Sequence, residues 1–214
     1  MFDKTFIKNK KMKESSKRWL IRQMKDPYVA LAKKNGYRSR AAFKLLEIND
    51  KFKILEKNRI VIDLGSTPGG WSQIASSKCK KVIAVDLLPM DMISNVDFIM
   101  GNFLDESTIE YIKHQLNATK SNVILSDMAP STCGIKSVDH VRIMTLIEEV
   151  FEFSKDFLEE GGDMVVKVFQ GGTENSLLNE LKKYFKKINH FKPKSSRKES
   201  VEMYLVARGF TPQT

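Results

Sequence analysis

The stretch Arg59-Ile60-Val61-Ile62-Asp63-Leu64, followed directly by Gly65-Ser66-Thr67-Pro68-Gly69-Gly70-Trp71, decides the fold. Its first half is a short β-branched run, which is typical of a buried strand, and its second half is a glycine-rich turn. Glycines after a strand let a ligand approach the backbone, and the helix that they open has free N–H groups at its N-terminus. The stretch therefore predicts a strand, a ligand-binding turn and a helix, in that order.

The same alternation continues along the chain. Further strands are predicted at 81–86, 96–100, 121–127 and 164–169, with a closing pair around 188–191 and 203–207. Helical patterns separate them: the longest covers about 138–158, with Gly161-Gly162 as its expected end, and another spans 174–185. Apolar strands that alternate with helices pair in parallel and are buried on both faces. We therefore predict one α/β domain with an open, mostly parallel, seven-stranded sheet and helices on both faces.

Two short helices are predicted ahead of the first strand. Asp26 is a favourable N-cap with Pro27 at the first helical position, and Gly36 supplies a stop. Ser39 is expected to cap a second helix that runs through residues 41–48. Residues 1–17 are lysine-rich and lack the apolar core of a secretory signal, so we interpret them as a basic tail ahead of a single domain at 18–214.

The charge balance points to an anionic partner. Lysine and arginine outnumber aspartate and glutamate by 36 to 26 in the 214 residues, which gives a formal charge of +10. Such a surface attracts polyanions, above all nucleic acid, although a lysine-rich surface without a partner is the alternative on charge alone. No apolar run approaches the ~20 residues that span a bilayer, so we expect no membrane anchor.

The two cysteines, Cys79 and Cys133, have neither a metal-ligand nor a redox spacing. We therefore expect no metal site and no disulfide framework. Low cysteine usage in a chain of this length favours a reducing, intracellular compartment, and leaves cytoplasm and organelle as alternatives.

The spacing of the glycines limits the classes of ligand that the turn can bind. The glycines at 65, 69 and 70 do not form G-x-G-x-x-G, and no Gly-Lys-Ser/Thr follows, which disfavours a dinucleotide and excludes a P-loop. Asp86 ends the next strand, where a carboxylate can accept both hydroxyls of a ribose. A glycine turn with such a carboxylate suits S-adenosylmethionine, whereas a purely structural turn is the other interpretation.

Two polar side chains stand where parallel strands end. Asp127 closes the fourth strand, and Lys167 interrupts the apolar run 164–169. In an open parallel sheet, ligand chemistry lies beyond the carboxyl ends of the strands. A buried lysine without a partner is costly, so Lys167 is either a group used in proton transfer or a strand-end lysine whose amine reaches water.

A third feature is the segment Gly36-Tyr37-Arg38-Ser39-Arg40-Ala41-Ala42-Phe43-Lys44. Basic residues with aromatic residues among them favour phosphate contacts and base stacking. A solvated helix face explains the same composition equally well.

Taken together, these residues resemble the FtsJ/RrmJ family of ribose 2′-O-methyltransferases. The resemblance runs almost from end to end. Its motifs, in the family's order, are Tyr37-Arg38-Ser39-Arg40-Ala41-Ala42-Phe43-Lys44, Asp63-Leu64-Gly65, Pro68-Gly69-Gly70-Trp71-Ser72-Gln73, Asp86-Leu87-Leu88-Pro89-Met90, Ser126-Asp127-Met128-Ala129-Pro130, Val165-Val166-Lys167-Val168-Phe169-Gln170 and Lys192-Pro193 through Ser195-Ser196-Arg197. The resemblance implies a Rossmann-like S-adenosylmethionine-dependent methyltransferase fold.

The resemblance also implies site residues. The family's Lys-Asp-Lys-Glu tetrad falls on Lys44, Asp127, Lys167 and Glu202, with Glu199 as the position to check against Glu202. The implied cofactor contacts are Gly65, Pro68, Gly69, Gly70, Trp71, Asp86, Leu87, Asn102 and Asp127. The implied RNA contacts are Arg38, Arg40, Lys44 and Arg197.

The role of Lys167 stays open at this level. The family's counterpart is usually assigned as the proton acceptor for the ribose hydroxyl, which a lysine can be only in its neutral form. Burial and the positive charge of Lys44 favour that form, whereas Asp127 and Glu202 oppose it. Lys167 is alternatively a group that orients the hydroxyl or stabilises charge as the proton leaves.

One position departs from the family pattern. The family commonly has Gly-Asp-Phe after the third strand, with the aspartate near the adenine amine, and this chain has Gly101-Asn102-Phe103. An asparagine carbonyl can still accept a hydrogen bond from that amine. We therefore expect weaker or adjusted cofactor binding, not its loss.

The motifs 86–90 and 126–130 resemble family members that act on large-subunit ribosomal RNA, so we expect a uridine of that RNA, free or in a subunit particle, as the substrate and a monomeric enzyme. A tRNA 2′-O-methyltransferase of the same family is the nearest alternative. A non-catalytic RNA-binding assembly factor on this fold is another, and the intact tetrad argues against it. A nicotinamide-dependent oxidoreductase is disfavoured by the glycine spacing.

Overall fold

The computed structural model describes residues 14–130, 133–170 and 175–213, and within them the side chains of 14–16, 18, 19 and 136 are not described. Its helices are α1 (Glu14–Lys25), α2 (Pro27–Lys34), α3 (Ala41–Phe52), α4 (Gly70–Ser76), α5 (Glu106–Leu116), α6 (Lys136–Phe157) and α7 (Asn175–Tyr184). Its strands are β1 (Ile60–Leu64), β2 (Lys81–Asp86), β3 (Val96–Met100), β4 (Ser121–Ser126), β5 (Leu158–Phe169), β6 (Phe185–Phe191) and β7 (Glu202–Phe210).

The strands form one open seven-stranded sheet in the order β3-β2-β1-β4-β5-β7-β6. All neighbouring pairs are parallel except those that involve β7, which runs antiparallel to β5 and β6. The predicted fold is therefore confirmed. The strand order reverses between β1 and β4, and ligands of such sheets bind in the crevice beyond the carboxyl ends of the strands at that point.

Helices cover both faces of the sheet, and successive strand residues point to opposite faces. In β1, Ile62 and Leu64 pack with α5, α6 and α7 residues on one face. Val61, the residue before Ile62, packs on the other face with residues such as Leu45 and Trp71 of α3 and α4. The near-continuous apolar run of β1 follows from this double burial.

Two sequence expectations about helix ends are wrong. Helix α3 begins at Ala41, its N-cap position is Arg40, and no side chain caps it; the Ser39 hydroxyl is buried without a hydrogen-bond partner. Helix α6 ends at Phe157, not at Gly161-Gly162, because Leu158 already pairs with Ser121 of β4. The two glycines lie inside β5, at a register irregularity that separates this pair from the pairing of Val123 with Asp163.

The N-terminal part of the chain is more helical than its sequence suggests. The Asp26 carboxylate accepts the Tyr28 N–H at 3.1 Å, so the predicted cap of α2 is confirmed. Helix α1 was not expected, and residues 14–17 of the predicted tail form its first turn. Residues 1–13 lie outside the described part, and the division into a tail and one domain stays a prediction. Glu174, the predicted first residue of α7, also lies outside it.

None of the helices in the described part of the chain is long and apolar enough to cross a membrane. Across residues 14–130, 133–170 and 175–213, no group of three or more His, Cys, Asp or Glu side chains is arranged to hold a metal ion.

Candidate active site

Four charged side chains meet beyond the carboxyl ends of the central strands. Asp127 follows β4, Lys167 lies near the end of β5, Lys44 projects from α3 and Glu202 begins β7. Antiparallel pairing of β5 with β7 sets Glu202 opposite Phe169, which brings it to the same edge of the sheet. The structure thus brings together all four residues of the predicted tetrad. Glu199, the alternative to Glu202, is exposed and is not part of this cluster.

The tetrad is joined by short polar contacts. The Lys167 ammonium donates to Oδ1 of Asp127 at 2.8 Å and to the Asp127 backbone oxygen at 2.5 Å. The Lys44 ammonium binds both carboxylate oxygens of Glu202, at 2.9 and 3.0 Å, and lies 3.8 Å from Oδ1 of Asp127. Lys44 and Lys167 are only 7% and 9% exposed, so each cation is buried with its own counter-ion.

Tyr204 is a fifth member of the cluster that sequence reasoning missed. Its hydroxyl donates to Oδ1 of Asp127 at 2.5 Å. Its ring lies 5.7 Å from the Lys44 ammonium and 5.4 Å from the Trp71 ring. Tyr204 stands two residues after Glu202, so both side chains lie on one face of β7, and this alternation was the available signal.

The charges of the cluster fix the protonation of its acidic members. Burial alone would raise the pKa of Asp127, but Lys167 and Lys44, with hydrogen bonds from Lys167 and Tyr204, outweigh it and hold that pKa below its ordinary value. Burial, together with the negative charges of Asp127 and Glu202, raises the pKa of Tyr204 well above its ordinary value. Asp127 is therefore a carboxylate and Tyr204 a neutral donor at neutral pH.

A cavity of about 690 Å³ opens directly beside Asp127. It lies beyond β1, β2 and β4 and is closed on one side by α6 residues such as Leu146. Five of the predicted cofactor residues line it: Gly65, Asp86, Leu87, Asn102 and Asp127. The cavity occupies the crevice at which the strand order reverses.

Asp86 is oriented by the backbone around it. One carboxylate oxygen accepts the Thr67 N–H and the other accepts the Leu88 N–H, each at 2.8 Å. A carboxylate has about four lone-pair sites, so each oxygen can accept one more donor. Asp86 is thus a fixed acceptor for two neighbouring hydroxyls.

The remaining predicted cofactor residues, Pro68, Gly69, Gly70 and Trp71, do not line the cavity. Trp71 is 2% exposed, and its indole N–H donates to the Ala41 carbonyl at 2.9 Å. The structure therefore gives its side chain a packing role between α3 and β7. Gly69 has φ = +101°, and a Cβ there would meet Ile93 and Met90 at 2.8 Å, so only glycine fits this turn. Cofactor contacts by these four residues stay a prediction.

Arg38, a predicted RNA contact, ties two loops together. Its guanidinium donates to the backbone oxygens of Asp91 and Met92, each at 2.7 Å, and to that of Pro68 at 3.4 Å. These oxygens belong to the loop after β2 and to the glycine turn after β1. Arg38 thus braces the two loops that flank Asp86.

Arg40 and Arg197, also predicted to contact RNA, share one buried carboxylate. Arg40 Nη1 and Arg197 Nε lie 2.9 and 3.0 Å from Oδ2 of Asp26. Arg40 also donates to the Ser195 carbonyl. The four predicted RNA contacts therefore fall into separate groups, of which only Lys44 belongs to the tetrad.

The comparisons with known proteins agree with this geometry. The sequence model described as FtsJ-like methyltransferase matches residues 37–210. A protein of Wolbachia sp. subsp. Brugia malayi named Ribosomal RNA large subunit methyltransferase E is 51% identical over 208 residues, which cover 97% of this chain and 95% of that protein. A protein of the same name from Rickettsia bellii is 49% identical over 93% of this chain and 91% of its own length.

A solved structure shows the same fold. The crystal structure of a Plasmodium falciparum protein described as a ribosomal RNA methyltransferase superposes with a TM-score of 0.75 at 35% identity, and the match covers 83% of this chain and all of that one. The family model spans the tetrad, the cavity and the whole sheet. The chain therefore belongs to the FtsJ-like methyltransferase family.

Proposed function

We propose that this chain transfers a methyl group from S-adenosylmethionine to a ribose 2′-hydroxyl of RNA, and that the substrate is a uridine of large-subunit ribosomal RNA. The observation that carries the proposal is the Lys44–Asp127–Lys167–Glu202 cluster at the rim of the cavity. The relatives named Ribosomal RNA large subunit methyltransferase E, at 51% and 49% identity, support the choice of RNA.

The cavity fits the proposed cofactor. Asp86 offers two oriented oxygens for the ribose hydroxyls, and Asn102 lies on the cavity wall where an adenine amine is expected. Two buried hydroxyls near this cavity, those of Ser66 and Ser126, have no hydrogen-bond partner in the described residues, so donors or acceptors are available for a polar ligand. The cofactor supplies an electrophilic methyl group on a sulfonium when it is bound.

The residues of the tetrad then act on the ribose hydroxyl. In-line positioning of that hydroxyl accounts for most of the acceleration, because the methyl donor is already reactive. Lys167 is held at fixed distance by two oxygens of Asp127, which is suited to orienting the hydroxyl oxygen and to handling its proton. Lys44 and Glu202 neutralise each other and complete the wall around Asp127.

The test is methyl transfer with defined substrates. The purified protein with labelled S-adenosylmethionine should modify large-subunit ribosomal RNA or large-subunit particles, and mapping should place the label on a uridine ribose. An RNA with a 2′-deoxy nucleotide at the mapped position should accept no label. Modification of tRNA instead would correct the substrate, and no cofactor binding would overturn the proposal.

The arginine brace predicts an effect on cofactor affinity. Replacing Arg38 with lysine should weaken S-adenosylmethionine binding about tenfold, because one ammonium cannot bridge the Asp91, Met92 and Pro68 oxygens. Calorimetric titration measures the effect, with Arg208→Lys on the distant edge of the sheet as the control. Unchanged cofactor affinity with weaker RNA binding would instead make Arg38 the RNA contact that the sequence suggests.

Replacing Asn102 with aspartate is expected to raise the affinity for S-adenosylmethionine. The Asn102 Oδ1 already accepts the Leu104 N–H at 3.2 Å, which leaves one lone pair for the adenine amine. Asn102→Asp should tighten S-adenosylmethionine binding about fivefold, because an ionised acceptor forms the stronger hydrogen bond. The same titration checks it, and Asn189→Asp in β6 serves as control. An affinity equal to that of the unchanged protein would remove Asn102 from the cofactor site.

A further inference from the structure

Glu47 joins α3 to the segment between β6 and β7, residues 192–201. Each of its carboxylate oxygens accepts one backbone N–H: Oε2 accepts that of Lys194 at 2.5 Å, and Oε1 accepts that of Ser195 at 2.8 Å. A carboxylate that accepts two consecutive N–H groups forms two charge-assisted hydrogen bonds, which fix both the position and the direction of the backbone. Ser195 is fully buried, so its N–H depends on this contact.

The same segment holds Glu202. The Ser196 hydroxyl, one residue after the contacts with Glu47, donates to Oε1 of Glu202 at 2.8 Å. The Ser200 hydroxyl accepts the Glu202 N–H at 3.2 Å. Because its carboxylate and its backbone are both bound to residues of the segment, the position of Glu202 depends on where the segment lies.

The position of Lys44 depends in turn on Glu202. The Lys44 ammonium lies 2.9 and 3.0 Å from the two oxygens of Glu202, but 3.8 Å from Oδ1 of Asp127. The longer distance is beyond a hydrogen bond, so Glu202 keeps Lys44 from pairing closely with Asp127. That same Oδ1 binds Lys167 at 2.8 Å. A displaced Glu202 would let both ammonium groups compete for one carboxylate.

Helix α3 carries both contacts with the segment and with Glu202. Glu47 follows Lys44 by three residues, so the two side chains lie on one face of the helix. From that face, Lys44 reaches the Glu202 carboxylate, and Glu47 reaches the backbone that precedes it. The ion pair alone would fix Glu202 at a single point, whereas the two contacts together fix the approach of the chain to β7.

We propose that Glu47 is a positioning residue for methyl transfer. It acts through the backbone of residues 194–196, which sets Glu202 and, through Glu202, the Lys44 ammonium. The proposal rests on the proposed function, since it gives Glu47 a role in that reaction. Glu47 does not line the cavity, so its effect reaches the tetrad through these residues.

The nearly isosteric variant Glu47→Gln tests the contact. An amide has one acceptor oxygen, and its NH₂ group would face the second backbone N–H, so one hydrogen bond is lost. The single-turnover rate at saturating RNA and cofactor should fall about tenfold, because a small displacement of the tetrad slows an in-line transfer. The affinity for S-adenosylmethionine should stay unchanged. Asp50→Asn, at an exposed position three residues further along α3, removes the same charge and is the control.

Double variants show whether Glu47 acts through Ser196 and Glu202. Ser196→Ala removes the hydroxyl that holds Glu202 and leaves Glu47 in place, so it should lower the rate by a similar factor. In a Ser196→Ala or Glu202→Gln background, Glu47→Gln should change the rate by less than about twofold, because the same chain of contacts is already broken. A residue with only a structural role would instead lower the free energy of unfolding and leave the rate per folded molecule unchanged.

Hydrogen exchange followed by NMR gives a measurement that needs no RNA. The Ser195 amide should exchange faster in Glu47→Gln than in the parent protein. Unchanged exchange, a rate like that of the Asp50→Asn control, or losses that multiply in the double variants would overturn the role of Glu47 alone. A parent protein that methylates no RNA, beside faster exchange in the variant, would overturn the proposed function and this role with it.

Discussion

Replacing Lys167 with alanine is expected to lower the rate of methyl transfer to RNA by about a thousandfold while the protein still binds its cofactor and RNA. Lys167 is the only tetrad member that contacts Asp127 through both a carboxylate oxygen and the backbone oxygen, at 2.8 and 2.5 Å. Of the two tetrad cations, its removal leaves only Lys44, whose ammonium lies 3.8 Å from Oδ1 of Asp127. Single-turnover rates with saturating RNA, measured beside both dissociation constants, separate chemistry from binding.

A matched control is Lys81→Ala. Lys81 is also a strand lysine, and it forms a 2.9 Å ion pair with Asp97, but it lies in β2 at the opposite end of the strands from the cavity. Its loss should leave the rate of transfer unchanged. A Lys167→Ala protein that methylates at near-normal rate would show that Lys167 only neutralises Asp127.

Two members of the tetrad, Asp127 and Lys167, could be predicted from sequence patterns because they interrupt or end apolar runs, whereas Lys44 and Glu202 were assigned to the tetrad only through the family resemblance. Lys167 lies inside a β-branched run and Asp127 directly after another, and the parallel arrangement brings such positions to one edge of the sheet. The choice between Glu202 and Glu199 needed the register of β5 against β7, which sets Tyr204 opposite Lys167 and Glu202 at the sheet edge. No local pattern encodes that register, although the alternation of side chains along β7 already places Tyr204 on the same face as Glu202.

Other details depended on contacts between distant segments. Ser39 has the residue type of a helix cap, but its hydroxyl packs against Gly70 at the start of α4. A Cβ on residue 70 would clash with that hydroxyl, so the position of Ser39 depends on packing against α4. Arg38 and Arg40 alternate with small residues in one basic segment, yet one binds loop carbonyls and the other binds Asp26. Their roles follow from the path of the chain after β2 and before β7, which composition does not reveal.

Asp127→Asn is expected to damage both catalysis and stability. The carboxylate lies between two buried ammonium groups, 2.8 Å from Lys167 and 3.8 Å from Lys44, and accepts the Tyr204 hydroxyl. A neutral amide leaves the Lys167 charge without its counter-ion, which for a buried pair costs about 3 kcal/mol or more of unfolding free energy. The rate of methyl transfer should fall at least about a hundredfold, because Lys167 loses its fixed position.

The stability cost should depend on pH in a defined direction. The pKa of Asp127 in the folded protein is held below its ordinary value of 3.8, so the ionised carboxylate stabilises the fold at every pH above 3.8. That contribution disappears as the pH falls through the lowered pKa, and the variant lacks it throughout. The difference in unfolding free energy between the two proteins should therefore be constant from pH 5 to 7 and shrink below pH 4.

Urea unfolding at a series of pH values measures this difference, and Asp97→Asn, which breaks an exposed strand ion pair with Lys81, gives the matched comparison. Exposed pairs contribute about 0–1 kcal/mol, so the Asp97 variant should differ little from the parent at any pH. If the unfolding free energy of Asp127→Asn at pH 7 also differs little from that of the parent, the cluster is hydrated and its charges are screened. If the variant loses about 3 kcal/mol of unfolding free energy but still transfers the methyl group at the normal rate, Asp127 is a structural residue. Catalysis would then need neither its charge nor its contacts with Lys167.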